Sequence, residues 1–279
     1  MARNDIDRPL WAASCVAVLA ALWSTTALAA AHAATATVQI YAAGSLRGVV
    51  GELAREAGPL FHVRVQATFG GSGSLRARIE QGASPDLFMS ADVGSPRKLA
   101  SEGRTVVPAI GFARNRICFV SRRSAGITPQ NLIDRLLAPG VRLKTSAPVV
   151  DPGGDYAWAI LDHIDALRPG AGAILKRKAR ASMHLQATRA SPTQSPAAAL
   201  FLSNQVDVAI TYCSGAPKLL QQVPGLTSFV VPPRLDPHPL YGIAVLSARP
   251  EVLRLALYLL SEKGQAIIAR EGLVPVALK

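Results

Sequence analysis

The chain has 279 residues and a formal net charge of +12 at pH 7, with 49% hydrophobic and 5% aromatic residues. That length suits one large or two medium domains around a substantial core. The basic residues are scattered and few aromatics lie among them, which argues against nucleic acid as a partner and for a general attraction to anions.

Leu10–Trp23 is an apolar run too short to span a bilayer as a helix, and it reads as the hydrophobic region of a signal peptide. Ala27-Leu28-Ala29 and Ala31-His32-Ala33 both suit cleavage, so residues 1–33 are expected to be removed and the mature chain to begin near Ala30 or Ala34. Cys15 lies inside the run rather than after it, which disfavours a lipoprotein. No later segment is long and apolar enough to cross a membrane, so the expected location is the periplasm. The cysteines left after processing, Cys118 and Cys213, both fall in apolar predicted strands. A disulfide and two buried thiols are equally compatible with that placement.

The strand Val38–Tyr41 runs into the small-residue turn Ala42-Ala43-Gly44-Ser45-Leu46, which opens an amphipathic helix over Arg47–Ala57 that Pro59 ends. The strand His62–Thr68 then delivers the chain to Gly70-Gly71-Ser72-Gly73, where missing side chains let backbone N–H groups turn toward a ligand. A helix and the buried strand Leu87-Phe88-Met89 follow, so the stretch reads as a βαβ unit with an anion-ready helix N-terminus. Ser95-Pro96 starts a helix to about Glu102, followed by strands at Val106–Phe112 and Ile117–Val120 and a short helix at Thr128–Leu137. Asp151-Pro152-Gly153-Gly154 is a third glycine turn, opening the helix Tyr156–Leu167. Residues 168–182 read as a solvated basic loop and helix face. Gln194-Ser195-Pro196 starts a helix through Asn204, and the strand Val206–Tyr212 ends in Tyr212-Cys213-Ser214-Gly215. Prolines around Pro232 and His238 mark a linker before the strand Leu240–Ser247, and two helices, Glu251–Leu260 and Glu262–Glu271, close the chain.

Catalytic chemistry is sparse. His62, His163, His184 and His238 stand apart without ligand-spaced partners, and no G-x-S-x-G, G-x-G-x-x-G or P-loop string occurs. What remains is a set of hydroxyls and helix N-termini suited to holding an anion without reacting with it. No cofactor is implied.

The A-A-x-S-L turn at Ala42–Leu46, the string from Gly70 to Asp92, the D-P-x-G-x-Y-A turn at Asp151–Ala157, the Val208–Tyr212 strand end and the closing G-Q-A-I-I-A-R-E-G-L together resemble the periplasmic molybdate-binding proteins of ABC importers. That resemblance implies an α/β fold of two lobes, each a mixed sheet flanked by helices, joined by a two-segment hinge. Residues 36–113 with 238–279 would form the first lobe and 114–237 the second. It implies a monomer that holds molybdate or tungstate between the lobes and passes it to a membrane permease. Carried over residue by residue, the ligand set is Ser45, Ser72, Gly153, Gln194 and Tyr212. Gln194 departs from the better-known members, which have an apolar residue there. Asp151 and Asp155 add negative charge beside the third turn; they are expected to serve as a turn-forming Asx and a helix-end carboxylate, both facing away from the anion. The alternatives are a protein of this fold that has moved to another small ligand, and an exported hydrolase with Ser72 as nucleophile.

Overall fold

The computed structural model describes residues 35–185, 188 and 191–276, so the signal-peptide reading of residues 1–33 lies outside the described residues. In chain order come β1 (Ala36–Ala43), α1 (Arg47–Leu60), β2 (Val63–Gly70), α2 (Ser72–Glu80), β3 (Leu87–Ser90), α3 (Gly94–Ser101) and β4 (Ile110–Arg114). Next are β5 (Ile117–Arg122), α4 (Leu132–Leu137), β6 (Leu143–Lys144), α5 (Pro152–Leu167), α6 (Ala171–Met183), α7 (Pro196–Leu202), β7 (Val208–Tyr212), α8 (Ala216–Gln222) and β8 (Leu226–Val230). The chain ends with β9 (Leu240–Val245), α9 (Pro250–Leu260), α10 (Glu262–Arg270) and β10 (Val274–Pro275).

These elements build a two-lobed α/β fold on two sheets flanked by helices, one ordered β10-β4-β9-β3-β1-β2 and the other β6-β7-β5-β8. β1 and β3 run parallel, with Ile40 opposite Leu87 and Ala42 opposite Met89. Every residue of β3 is buried, as expected for a strand covered by helices on both faces. In the second sheet β6 and β7 are the parallel pair, while β5 runs antiparallel to β7 and β8. Ligands in open α/β sheets sit beyond the carboxyl ends of parallel strands, so these two pairs define where a site can form.

The short β6, α8 and β10 were not anticipated in the sequence, and three further elements depart from expectation for identifiable reasons. β4 is confined to Ile110–Arg114 because Pro108 has no N–H for the ladder. Residues 171–183 are a helix that buries Ala171, Leu175 and Ala179 in the second lobe's core, not a solvated segment. Its apolar stripe is mostly alanine, and its Lys176 and Arg180 stack on the Trp158 ring at 5.1 and 4.8 Å. β8, with Thr227 and Ser228 between apolar residues, carried no strand signal strong enough to be read.

The chain crosses between sheets at residues 115–116 and again at 231–239. Cys118 and Cys213 are joined by a disulfide with their Cα atoms 4.9 Å apart, which decides the alternative left open by the sequence. Among the described residues no helix is long and apolar enough to cross a membrane.

Candidate functional site

The carboxyl ends of the two parallel pairs face one cavity of about 760 Å³, in the size range of small-molecule sites. Its wall includes Ser45, Gly71 and Ala91 from the first lobe and Thr145, Asp151, Gly153 and Tyr212 from the second. Ser45, Gly153 and Tyr212, three of the five residues singled out from sequence, therefore share one cavity although they are far apart in the chain.

Ser45 lies in the short 3-10 turn after β1, and its Oγ is 2.9 Å from Tyr241 Oη. Asn115 anchors the Tyr241 end of that bond. Its Oδ1 accepts the Arg116 N–H at 2.8 Å, so its Nδ2 donates to Tyr241 Oη at 3.0 Å and to Ser214 Oγ at 2.9 Å. Tyr241 Oη thus accepts from Asn115, and either hydroxyl can donate across the Ser45–Tyr241 contact, so Ser45 can offer its proton to a ligand when Tyr241 donates to it. Burial holds the Tyr241 hydroxyl above the ordinary tyrosine range, so it remains a donor. Asn115 and Tyr241 went unread in the sequence because each is a single polar residue at a strand end, 126 positions apart and in no motif.

Tyr212 closes β7, its ring edge-on to those of Tyr241 and Tyr156 at 5.6 and 6.4 Å. Its Oη makes no hydrogen bond of good geometry among the described residues, although the Tyr241 hydroxyl is near enough to bear on its titration. Burial first, then Tyr241 and the Asp151 carboxylate, pushes that hydroxyl well above the tyrosine range. It stays protonated and can donate to Tyr241 or to a ligand oxygen. Thr145, just past β6, is 1% exposed and its Oγ1 is likewise unpartnered, a wall hydroxyl that the sequence reading did not single out. Cations line other parts of the cavity: Arg47 lies over the Phe69 ring at 4.3 Å, and Lys144 Nζ donates to the Ser182 carbonyl at 2.8 Å.

Ser72 and Gln194 are not in the cavity wall. Ser72 is fully buried in the first turn of α2, where its Oγ accepts the Ala91 N–H at 3.0 Å; Gly71 and Ala91 face the cavity in its place. Gln194 sits one residue before Ser195, and Ser195 and Pro196 are the lining residues there. Gly71 and Gly73 have a second role that the sequence did not reveal, because a Cβ on Gly73 would stand 1.8 Å from the Val149 carbonyl oxygen and one on Gly71 2.4 Å from that of Val150. With the Ser74 N–H to Val150 carbonyl bond at 3.3 Å, these glycines let the lobes touch along one edge of the cavity.

The largest correction concerns Asp151. It is the N-cap of α5, its Oδ1 accepting the Gly153 N–H at 3.0 Å, and it lines the cavity rather than facing away from it. Asp155, by contrast, accepts the Val149 N–H at 2.8 Å and is not in the wall. Burial first, then the charges of Asp92 and Asp151, raises its carboxyl above the usual range. Among the described residues no group of three or more His, Cys, Asp or Glu is placed to hold a metal ion.

The sequence profile of the bacterial extracellular solute-binding proteins matches residues 38–274. The chain belongs to that family. It is 33% identical over 242 residues to an uncharacterized protein of Pasteurella multocida (strain Pm70), covering 85% of this chain and 98% of that one. Among solved structures it is similar to the periplasmic molybdate-binding protein of Azotobacter vinelandii, with a TM-score of 0.65 at 20% identity over 86% of this chain and all of the other. It is also similar to the sulfate-binding protein SubI of Mycobacterium tuberculosis, with a TM-score of 0.63 at 19% identity over 86% of this chain and 87% of that one. Both solved structures are of binding proteins, and membership in the family carries with it an exported location and a role in solute transport.

Proposed function

We propose that this protein captures a tetrahedral oxyanion in the cavity between its lobes and delivers it to the permease of an ABC importer in the membrane. The observation that carries the reading is the convergence of the Ser45 and Tyr212 hydroxyls, from the two lobes, on one cavity that Gly153 also lines. Donors that converge without a nucleophile and base suit binding rather than turnover. Ser72, the nucleophile of the hydrolase alternative, is fully enclosed and its Oγ is bonded to the Ala91 N–H.

Two groups of oxyanion meet this description. Molybdate and tungstate, bare dianions, are favoured by the Gly70–Asp92 string and by the likeness to the Azotobacter protein. Oxyanions that keep a proton at neutral pH, such as hydrogen phosphate, are favoured by one carboxylate in the wall, that of Asp151. A thermal-shift panel of molybdate, tungstate, sulfate and phosphate tests the common reading. A ligand bound only by the folded protein at a hundredfold excess over Kd stabilises it by about 2.7 kcal/mol, several degrees in Tm. If none of the four moves the transition, the oxyanion reading fails and a diverged ligand takes its place.

A further inference from the structure

We propose that Asp151 is the specificity-determining residue of this cavity and selects an oxyanion that still carries a proton, of the hydrogen phosphate type, over the bare dianions. The inference rests on the oxyanion reading above and narrows it. Its starting point is the N–H that a bare dianion would need. In the first turn of α5 the Gly153 N–H is the donor nearest the cavity, and it is already taken by Asp151 Oδ1 at 3.0 Å. A Cβ placed on Gly153 would find both carboxylate oxygens, at 3.4 and 3.7 Å, and the Tyr212 ring at 3.4 Å. The carboxylate therefore lies between the helix end and the space in front of Tyr212.

An ionised carboxylate is an acceptor only. A molybdate or sulfate dianion approaching Gly153 would set its oxygens against those of Asp151, with no proton to place between them. An anion with a P–OH group would donate that proton to Asp151 and accept from the hydroxyls of Ser45 and Tyr212. Asp151 is well placed for this, because among the described residues no lysine or arginine pairs with it, and its second oxygen makes no hydrogen bond. The charges that bear on this end of α5 are those of Asp92, Asp155 and Arg76, and both carboxylates are already hydrogen-bonded. Asp92 accepts from the Ser90 and Ser95 hydroxyls and the Ser95 N–H, and Asp155 from the Val149 N–H. A second observation points to a ligand independently of the helix end: Thr145 Oγ1 is unpartnered at 1% exposure in the same wall. A hydroxyl buried to that extent is ordinarily bonded, and an oxyanion would supply the missing partner.

Titration calorimetry on the mature protein with inorganic phosphate, sulfate and molybdate tests the assignment, together with Asp151→Asn. Asn is as good an N-cap as Asp, so the helix start is kept while the charge and the pure-acceptor character are lost. The wild type is expected to bind phosphate at least about tenfold more tightly than sulfate or molybdate. Asp151→Asn is expected to lose about tenfold or more for phosphate and to gain for the bare dianions, since one hydrogen bond to a charged group is at stake. Asp151→Ser, another capping residue without charge, should shift the preference the same way. The proposal is overturned if the wild type prefers molybdate or sulfate, or if the order of preference is the same in both variants as in the wild type. Tight molybdate binding that Ser45→Ala weakens would overturn it while leaving the oxyanion reading in place, whereas no binding by any of the three would remove both.

Discussion

Ser45 and Ser72 look alike in the sequence, each a serine after a small-residue turn, yet the structure gives them different work. The Ser45 hydroxyl lines the cavity and pairs there with Tyr241 Oη. Removing it should cost one hydrogen bond to a charged group, about 1.5–3 kcal/mol or roughly one to two decades in affinity, with little change in folding stability. Ser72→Ala should do the reverse, because it strands the buried Ala91 N–H, a loss of about 1–3 kcal/mol in stability. Paired calorimetry and denaturant unfolding separate the two, and a Ser72→Ala protein of unchanged stability and weakened binding would show that its hydroxyl reaches the ligand after all. At this scale the sequence revealed residues that sit in strings, such as Ser45, Gly153 and Tyr212. It hid Asn115, Tyr241 and Thr145, whose roles depend on which strand ends the topology brings together.

At the scale of elements, hydrophobic period and turn chemistry located most of the helices and strands, because most carry an apolar face of the right spacing, and missed the short β6, α8 and β10. They failed where the buried face was made of small residues, as in α6, or of polar ones, as in β8. The glycines of the α2 turn illustrate a different gap. Backbone N–H groups free to face a ligand would explain them, but the contact with residues 149–150 explains why Gly73 in particular carries no side chain. The opposing strand of chain is itself constrained: Val149 has a φ of 70°, a costly conformation for a β-branched residue, and is held there by the Asp155 carboxylate. Gly73→Ala should therefore leave the first lobe as stable or up to about 1 kcal/mol more so, since alanine is the better helix residue. It should nonetheless weaken ligand binding by blocking the approach of the lobes. Unaltered affinity in this variant would mean that the contact is not needed in the bound state.

For the whole molecule, the decisive feature is that the residues assigned to one ligand belong to both sheets while only two segments, 115–116 and 231–239, join them. A ligand bonded to Ser45 on one side and to Asp151 and Tyr212 on the other interacts fully only when the lobes are together, so its binding energy favours the closed arrangement over open ones. Small-angle X-ray scattering of the protein should then show a smaller radius of gyration at saturating oxyanion than without it. The Gly73→Ala protein, kept apart at the 149–150 edge, should compact less at the same occupancy. The two measurements constrain each other: compaction in the wild type alone ties closure to that glycine, and equal compaction in both would place the moving contact elsewhere on the cavity rim. Identical scattering of the wild type with and without bound ligand would count against a cavity that closes over its solute.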